Sequence, residues 1–146
     1  MLLIPTRLCI MVCVHMVAYY YNKKRVTVPE ITEHIKVNPR TLNPALTRLV
    51  RAGILNSKTG GSDRGYILAR DPKEISIYDI THTIQGDTTM RCCDDVTENT
   101  TCIVKKGGNC LIYSRLNKVL LKIKEELENI SLYDQYNELR KFNCDS

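Results

Sequence analysis

The sequence lacks an apolar run long enough to cross a membrane. The longest such run, residues 8–21 (LCIMVCVHMVAYYY), falls short of the about 20 residues that a transmembrane helix requires. A signal peptide would need a basic region before this run and small residues after it, whereas Arg7 is the only preceding cation and tyrosines follow. We therefore expect a buried helix in a cytoplasmic protein that has no membrane partner.

Motifs that mark common enzyme classes are also missing. There is no nucleophile elbow, no phosphate-binding loop and no constellation of carboxylates, so we expect a protein that is not an enzyme. Internal repeats and low-complexity segments are absent, and the hydrophobic fraction of 43% is that of a globular chain. A length of 146 residues allows one domain, or one domain with an appended dimerisation element.

The charge that is present is unevenly distributed. The chain carries a formal charge of +5, and the segment from residue 36 to residue 70 holds seven cations against the single acid Asp63. A local basic field of this kind is typical of nucleic-acid binding, and a solvated basic face is the equally weighted alternative.

The first half of the chain carries the start and stop signals of three helices. Thr6 is the expected N-cap of the first helix, which contains the apolar run. Residues 22–25 (NKKR) are predicted to form a polar turn. Residues 27–30 (TVPE) have the spacing of a capping box for the second helix, and Asn38-Pro39 begin a third that ends at Gly53. Pro44 should bend this third helix or move its start later. Two short helices joined by a tight turn, the second rich in Arg, Thr and Asn, predict a helix-turn-helix.

Two short β-like runs, 54–58 and 66–69, come next and are joined by a glycine-rich turn. A basic hairpin directly after a helix-turn-helix is typical of a winged helix. A further helix is expected from Ser76 to Gly86. In the helix expected at 111–129, apolar side chains recur at steps of three and four and form one apolar seam, as in dimerisation helices: Ile112, Leu116, Val119, Ile123, Leu127 and Ile130. A short extra helix is expected near the C-terminus.

We therefore predict a mainly α fold with a small β-hairpin wing and a long dimerisation helix. Its parts are a winged helix-turn-helix DNA-binding domain (1–86), a cysteine-rich sensory loop (87–110), and a dimerisation helix with a C-terminal tail (111–146). Packing of the long helix on its own domain is the alternative to dimerisation.

The third helix and the wing supply the candidate DNA contacts. Arginine can bind guanine bidentately and asparagine can bind adenine, so Arg40, Thr41 and Asn43 are predicted to touch bases or phosphates in the major groove. Arg64, at the wing tip, is predicted to enter the minor groove. The other cations of these elements are predicted phosphate contacts or solvated charges: Lys36, Arg48, Arg51 and Lys58.

Four of the seven cysteines share the polar loop before the long helix: Cys92, Cys93, Cys102 and Cys110. Cytosolic thiol clusters more often bind metal or react than form disulfides. The residues leave three options open, namely an iron–sulfur cluster, redox-active thiols without metal, and a zinc site, which the absence of CxxC pairs disfavours. Cys9 and Cys13 lie in the apolar first helix, where core packing is the more frequent role.

In this order the elements resemble the IscR/NsrR/CymR family of bacterial winged-helix transcription regulators, over about residues 5–136. The resemblance rests on VPEITEHIKVNPRTLNPALTRLVRAGIL, on the wing ending GYILARDPKEISIYDI, and on the loop ending NCLIYSRL. It implies a homodimer that binds a palindromic operator in double-stranded DNA, and we expect a repressor. In several relatives the loop cysteines hold an iron–sulfur cluster whose state controls DNA binding.

The resemblance also bears on the ligands of such a cluster, which would be 2Fe–2S or 4Fe–4S. The loop here is longer than in cluster-binding relatives, and the pair Cys92-Cys93 replaces the first single cysteine. Tyr113 stands where the IscR branch has a histidine. In the NsrR-like branch a ligand comes from the first helix of the partner subunit, where this chain has Cys9 and Cys13. CymR-type relatives lack a cluster and respond through a thiol or a partner enzyme, so a cluster-free regulator is the alternative function, beside a zinc-stabilised DNA-binding module.

Overall fold

The computed structural model describes residues 4–87, 105–106 and 109–144. These parts contain six helices and two short antiparallel hairpins, so the predicted mainly helical fold is confirmed. The helices are α1 (Ile4–Tyr20), α2 (Val28–Ile35), α3 (Pro39–Arg51), α4 (Ile77–Gln85), α5 (Leu111–Asn129) and α6 (Leu132–Cys144). The strands are β1 (Leu55–Lys58), β2 (Gly65–Leu68), β3 (Lys105–Lys106) and β4 (Asn109–Cys110). Within the described ranges, no helix combines the length and the apolar character needed to span a membrane.

Helix α1 lies at the centre of the fold, packed against α3, α4, α6 and β2. Because apolar side chains occupy nearly all of its faces, it can bury surface against several elements at once, and its predicted burial is confirmed. Helices α2, α3, α4 and α6 and the residues just before α4 direct side chains into this core, the most buried being Ile31, Leu46, Leu49, Ile75, Ile80 and Leu132. Full burial of one such side chain contributes about 1.5–3 kcal/mol relative to exposure.

The start of α1 differs from the prediction. The helix already includes Ile4, so Thr6 lies inside it and is not its N-cap. Thr6 is fully buried, and its hydroxyl has no hydrogen-bond partner in the described part of the chain. Threonine before an apolar run is a common cap signal, but here α1 begins before Thr6 and buries its side chain.

Helices α2 and α3 form the predicted helix-turn-helix. The Thr27 N–H donates to Glu30 Oε2 at 2.7 Å and the Thr27 hydroxyl donates to the same oxygen at 2.8 Å, which closes the α2 N-terminus. The Asn38 side chain accepts a hydrogen bond from the Arg40 N–H at 2.9 Å and caps α3. Between the helices, Lys36 adopts the left-handed conformation (φ +53°) that turns the chain.

Pro44 does not interrupt α3. The helix is continuous from Pro39 to Arg51, so the expected later start is wrong. Pro44 lies on the exposed face, where water can serve the Arg40 carbonyl that loses its helical N–H partner. Gly53 follows the helix at φ +70°, in the terminating position that the sequence predicts.

The wing consists of β1, β2 and the turn between them. The strands pair antiparallel, with Leu55 opposite Leu68, within one residue of the predicted bounds. On its other side, Tyr66 exchanges two backbone hydrogen bonds with Val26, each 2.8 Å long. Gly65 (φ +124°) permits this approach, because a Cβ there would lie 2.7 Å from the Val26 carbonyl oxygen. Strand β2 is therefore paired on both edges, with β1 on one side and with Val26, between α1 and α2, on the other.

The C-terminal helices are tied to the segment around α4. Residues 76–79 form the predicted capping box of α4. The Ile77 N–H donates to the Ile130 carbonyl and the Leu132 N–H donates to the Ile75 carbonyl, both at 2.9 Å. The junction between α5 and α6 is thus fixed against the start of α4, and the fully buried Leu132 anchors α6 in the core.

Candidate DNA-binding surface and thiol sites

Helix α3 separates into a buried face and an exposed polar face. The buried face carries Leu42, Ala45, Leu46 and Leu49, which pack in the core. The exposed face carries the predicted base-contacting residues Arg40, Thr41 and Asn43. Because the buried face fixes the rotation of the helix, these three side chains point to solvent together near its N-terminal end, the part of a recognition helix that reaches base edges.

Arg25, which no sequence pattern singles out, connects the two strands of the wing. Arg25 Nη1 donates to the carbonyls of Asn56 (3.3 Å) and Gly65 (3.4 Å), one on each strand. Arg25 Nε also lies 3.6 Å from Asp63 Oδ2, and only 17% of the Arg25 side chain is exposed. The sequence places Arg25 in a polar turn, and no local signal points to partners 31 and 40 residues away.

The wing cations have different surroundings. Lys58 Nζ lies 3.4 Å from the Asp63 carboxylate, which also faces Arg25. Arg64 is exposed and forms no ion pair with any described residue. Since Asp63 is already shared by two cations, Arg64 is the cation of this hairpin that is best placed to meet a phosphate or a groove.

Arg48 points toward the end of α4. Its Nη1 donates to the Ile84 carbonyl at 3.2 Å, although the side chain remains exposed. Two residues earlier on α4, His82 Nε2 lies 3.0 Å from Oδ1 of Asp87, where the predicted sensory loop begins. The end of α4 therefore contacts both the recognition helix and the start of that loop.

Cys9 and Cys13 lie in the hydrophobic core of their own chain. They are one helical turn apart on α1 and are 1% and 0% exposed. Burial raises the pKa of the Cys9 thiol to about 11, and the nearby Arg48 guanidinium offsets part of this rise. Burial, with a smaller contribution from Cys9, raises the pKa of the Cys13 thiol even further. Both are therefore protonated at neutral pH, which suits core packing better than metal ligation.

Of the four loop cysteines, the structure describes Cys110, while Cys92, Cys93 and Cys102 lie outside the described residues. Cys110 is half-buried and caps α5, with its sulfur accepting a hydrogen bond from the Tyr113 N–H at 3.4 Å. In iron–sulfur proteins, hydrogen bonds from N–H groups to the cysteine sulfurs help to set the reduction potential of the cluster. The described residues include no group of three or more His, Cys, Asp or Glu placed to hold a metal.

The long helix α5 has a packed side and an exposed apolar row. On the packed side, Lys124 Nζ lies 5.0 Å from the Tyr78 ring centroid of α4, and Leu127 packs on the core. The predicted seam is therefore split, because Leu127 and Ile130 pack within the chain. The rest of the seam is 42–54% exposed and consists of Ile112, Leu116, Val119 and Ile123.

Comparison with known proteins gives one family and several similar structures. Residues 5–138 match the Rrf2 family, described as "Iron-dependent Transcriptional regulator", while no curated protein sequence matches significantly. The solved structure of T. potens IscR is 22% identical, with a TM-score of 0.74 over 95% of this chain and 88% of that one. CymR, the global cysteine regulator of B. subtilis, is 16% identical, with a TM-score of 0.73 over 94% and 97% of the two chains. The oxidized form of Staphylococcus aureus CymR is 16% identical, with a TM-score of 0.67 over 93% and 95%. At these identities the likeness shows the winged-helix fold.

Proposed function

The chain belongs to the Rrf2 family of transcription regulators, which bind DNA, and we propose that it is a dimeric repressor whose loop thiols control operator binding. The operator would be a palindrome in double-stranded DNA, with one half-site for each recognition helix, and the protein would act in the cytoplasm. The observation that carries this proposal is the division of α3 into a buried apolar face and an exposed polar face.

The DNA contacts follow from that division. Arg40, Thr41 and Asn43 would enter the major groove, where arginine and asparagine can distinguish guanine and adenine. Arg64 would contact the minor groove or a phosphate, because it extends from the wing without a competing carboxylate among the described residues. Arg48 and Lys58 already have partners within the chain, so we assign them secondary roles in DNA binding.

Dimerisation would use the exposed apolar row of α5. Apolar side chains at steps of three and four form a continuous stripe on a helix, and a second copy of the same helix would cover it. A contiguous apolar patch of this kind is unusual on the surface of a monomer and typical of an interface. The C-terminal end of the seam packs within the chain and would hold α5 at a fixed angle to its own DNA-binding domain.

Control would act through Cys92, Cys93, Cys102 and Cys110. Thiolates are the ligands that iron–sulfur clusters prefer, and a cluster would supply a redox-sensitive charge beside α5. The family description as iron-dependent favours this chemistry. Cys110 would contribute its sulfur at the N-cap of α5, where that sulfur also accepts a hydrogen bond from the Tyr113 N–H of the helix.

A cluster-free regulator is the second candidate. The likeness to CymR, described as a global cysteine regulator and also solved in an oxidized form, favours control by thiol oxidation or by a partner enzyme. The loop cysteines would then be the reactive groups, since the buried thiols of α1 are held protonated. A zinc-stabilised DNA-binding module is a third hypothesis for the same thiols.

Anaerobic purification with an absorbance spectrum and assays of iron, sulfide and zinc distinguishes these candidates. A brown protein with matched iron and sulfide supports the cluster, and single Cys→Ser changes at the four loop cysteines should each reduce its content. Cys144→Ser is the matched control and should leave the content unchanged. A colourless, metal-free protein that binds DNA would support thiol or partner control, whereas zinc near one per chain without iron would support the zinc module.

Wing contact with DNA is tested by Arg64→Ala. Using a duplex selected in vitro from random sequence, we expect weaker binding and a salt slope reduced by about one, since each phosphate contact releases about one counterion. Lys122→Ala, which removes an exposed cation on α5, is the control and should leave the slope unchanged. An unaltered slope for Arg64→Ala would count against wing contact.

A further inference from the structure

A half-open cavity of about 290 Å³ lies between α1, the end of α2 and α6, and Met11, Leu139 and Arg140 at its rim are exposed. Its apolar wall is formed by Met11, Val14 and Ala18 of α1, by Ile35 of α2 and by Leu139 of α6. None of these side chains contributes to the predicted DNA surface or to the loop. The volume is near the lower limit of ligand pockets, which is about 300 Å³, so its occupant must be small.

The polar side chains at this cavity are cationic or neutral. Arg140 lines it, with its guanidinium carbon 5.8 Å from the centroid of the Tyr136 ring, which also lines it. Arg140 forms no ion pair with any described residue, and no carboxylate lines the cavity. The cavity thus combines an apolar wall with an unpaired positive charge.

His15 adds an unsatisfied nitrogen to the same wall. Its Nε2 is shielded from solvent and has no hydrogen-bond partner in the part of the chain that the structure describes. The centroids of the His15 and His34 rings are 5.0 Å apart. Burial, and secondarily His34, hold the pKa of His15 below its ordinary value, so the imidazole is neutral at pH 7. A buried polar nitrogen without a partner is costly, and a polar group brought by a ligand would relieve that cost.

We propose that this cavity is a binding site for a small carboxylate with an apolar chain or ring, whose carboxylate pairs with Arg140. The apolar wall would take up the hydrocarbon part, and the guanidinium can bind a carboxylate through two parallel hydrogen bonds. Ile35 is the last residue of α2, so a ligand here would contact the C-terminal end of the first helix of the helix-turn-helix. The proposal is independent of the loop chemistry and of operator binding.

Hexanoate is a suitable probe, with hexanamide as its uncharged counterpart. We expect hexanoate to shift the methyl NMR signals of Val14, Ala18, Ile35 and Leu139 in a saturable way, while methyl signals of the exposed α5 row stay unchanged. Hexanamide should bind the same site more weakly, because it lacks the charge. Absent or scattered shifts would overturn the proposal.

Three variants test which groups bind the probes. Arg140→Gln should weaken hexanoate binding by about fivefold or more and leave hexanamide binding unchanged, since only a charge-assisted pair is lost. Lys141→Gln removes a neighbouring exposed cation that does not line the cavity and should change neither. Ala18→Phe, at the exposed rim, should abolish binding of both probes by filling the cavity. Equal effects of Arg140→Gln and Lys141→Gln on hexanoate would refute the role of Arg140.

Discussion

Replacement of Gly65 by alanine tests the attachment of the wing to the core. At φ +124°, an alanine Cβ would lie 2.7 Å from the carbonyl oxygen and 2.9 Å from the carbonyl carbon of Val26. Both are backbone atoms, so the contact can be relieved only by moving β2 away from Val26. That movement breaks the two 2.8 Å hydrogen bonds between Val26 and Tyr66, each worth about 1 kcal/mol. The unfavourable backbone conformation adds about 1–3 kcal/mol.

The matched control is Gly60→Ala. Gly60 has nearly the same backbone angle, φ +129°, but a Cβ there meets nothing within 4 Å. Both variants therefore carry the conformational cost, and only Gly65→Ala carries the clash. We expect Gly65→Ala to lower the free energy of unfolding by about 2 kcal/mol more than Gly60→Ala does. Urea unfolding followed by circular dichroism, at one fixed protein concentration, measures the difference. Equal destabilisation by the two variants would refute the reasoning.

Three further predictions concern the dimer helix, the buried thiols and the α2 cap. Val119→Glu should dissociate the dimer in sedimentation velocity, whereas Ser114→Glu, on the opposite face of α5, should not; a monomeric wild type would contradict the proposed interface. Alkylation of Cys9 at pH 8 should be at least roughly a hundredfold slower in the folded than in the urea-unfolded protein, because burial raises its pKa to about 11, and Cys13 should behave likewise. Rapid labelling of either, measured by peptide mass mapping, would contradict their burial. Hydrogen bonds from the backbone N–H and the hydroxyl of Thr27 hold the pKa of Glu30 below its ordinary value, so its stabilisation is present at neutral pH and is lost as pH falls through the folded pKa. The difference in unfolding free energy between the wild type and Glu30→Gln should therefore shrink on acidification, and a growing difference would oppose this assignment.

The sequence predicted best the features that depend on near neighbours. The caps at Asn38 and at residues 76–79 join groups two or three positions apart, so their spacing is visible in the sequence. The bounds of α5 were predicted for the same reason, because Cys110 and Ile130 flank an uninterrupted helical repeat. Thr6 failed as a cap signal because the extent of α1 depends on packing against distant elements, which no local pattern records.

Features that join distant residues escaped prediction. Arg25 was interpreted as part of a turn, although it holds both strands of the wing. The seam of α5 was predicted as one continuous dimer surface, but Leu127 is used by the core of the same chain while Val119 remains exposed. Periodicity identifies the apolar face of a helix, and only the fold determines how that face is divided between its own chain and another surface.

The contacts at the end of α4 give the proposed control a physical route. The predicted loop begins at Asp87, which pairs with His82, and the Ile84 carbonyl between them accepts a hydrogen bond from Arg48 of the recognition helix. Coupling between two sites requires an element whose position both of them influence. The last turn of α4 is such an element, because it touches the loop on one side and α3 on the other. A rearrangement of the loop that moved Asp87 would therefore reach α3 through the last turn of α4, where the Arg48 side chain bonds the Ile84 carbonyl.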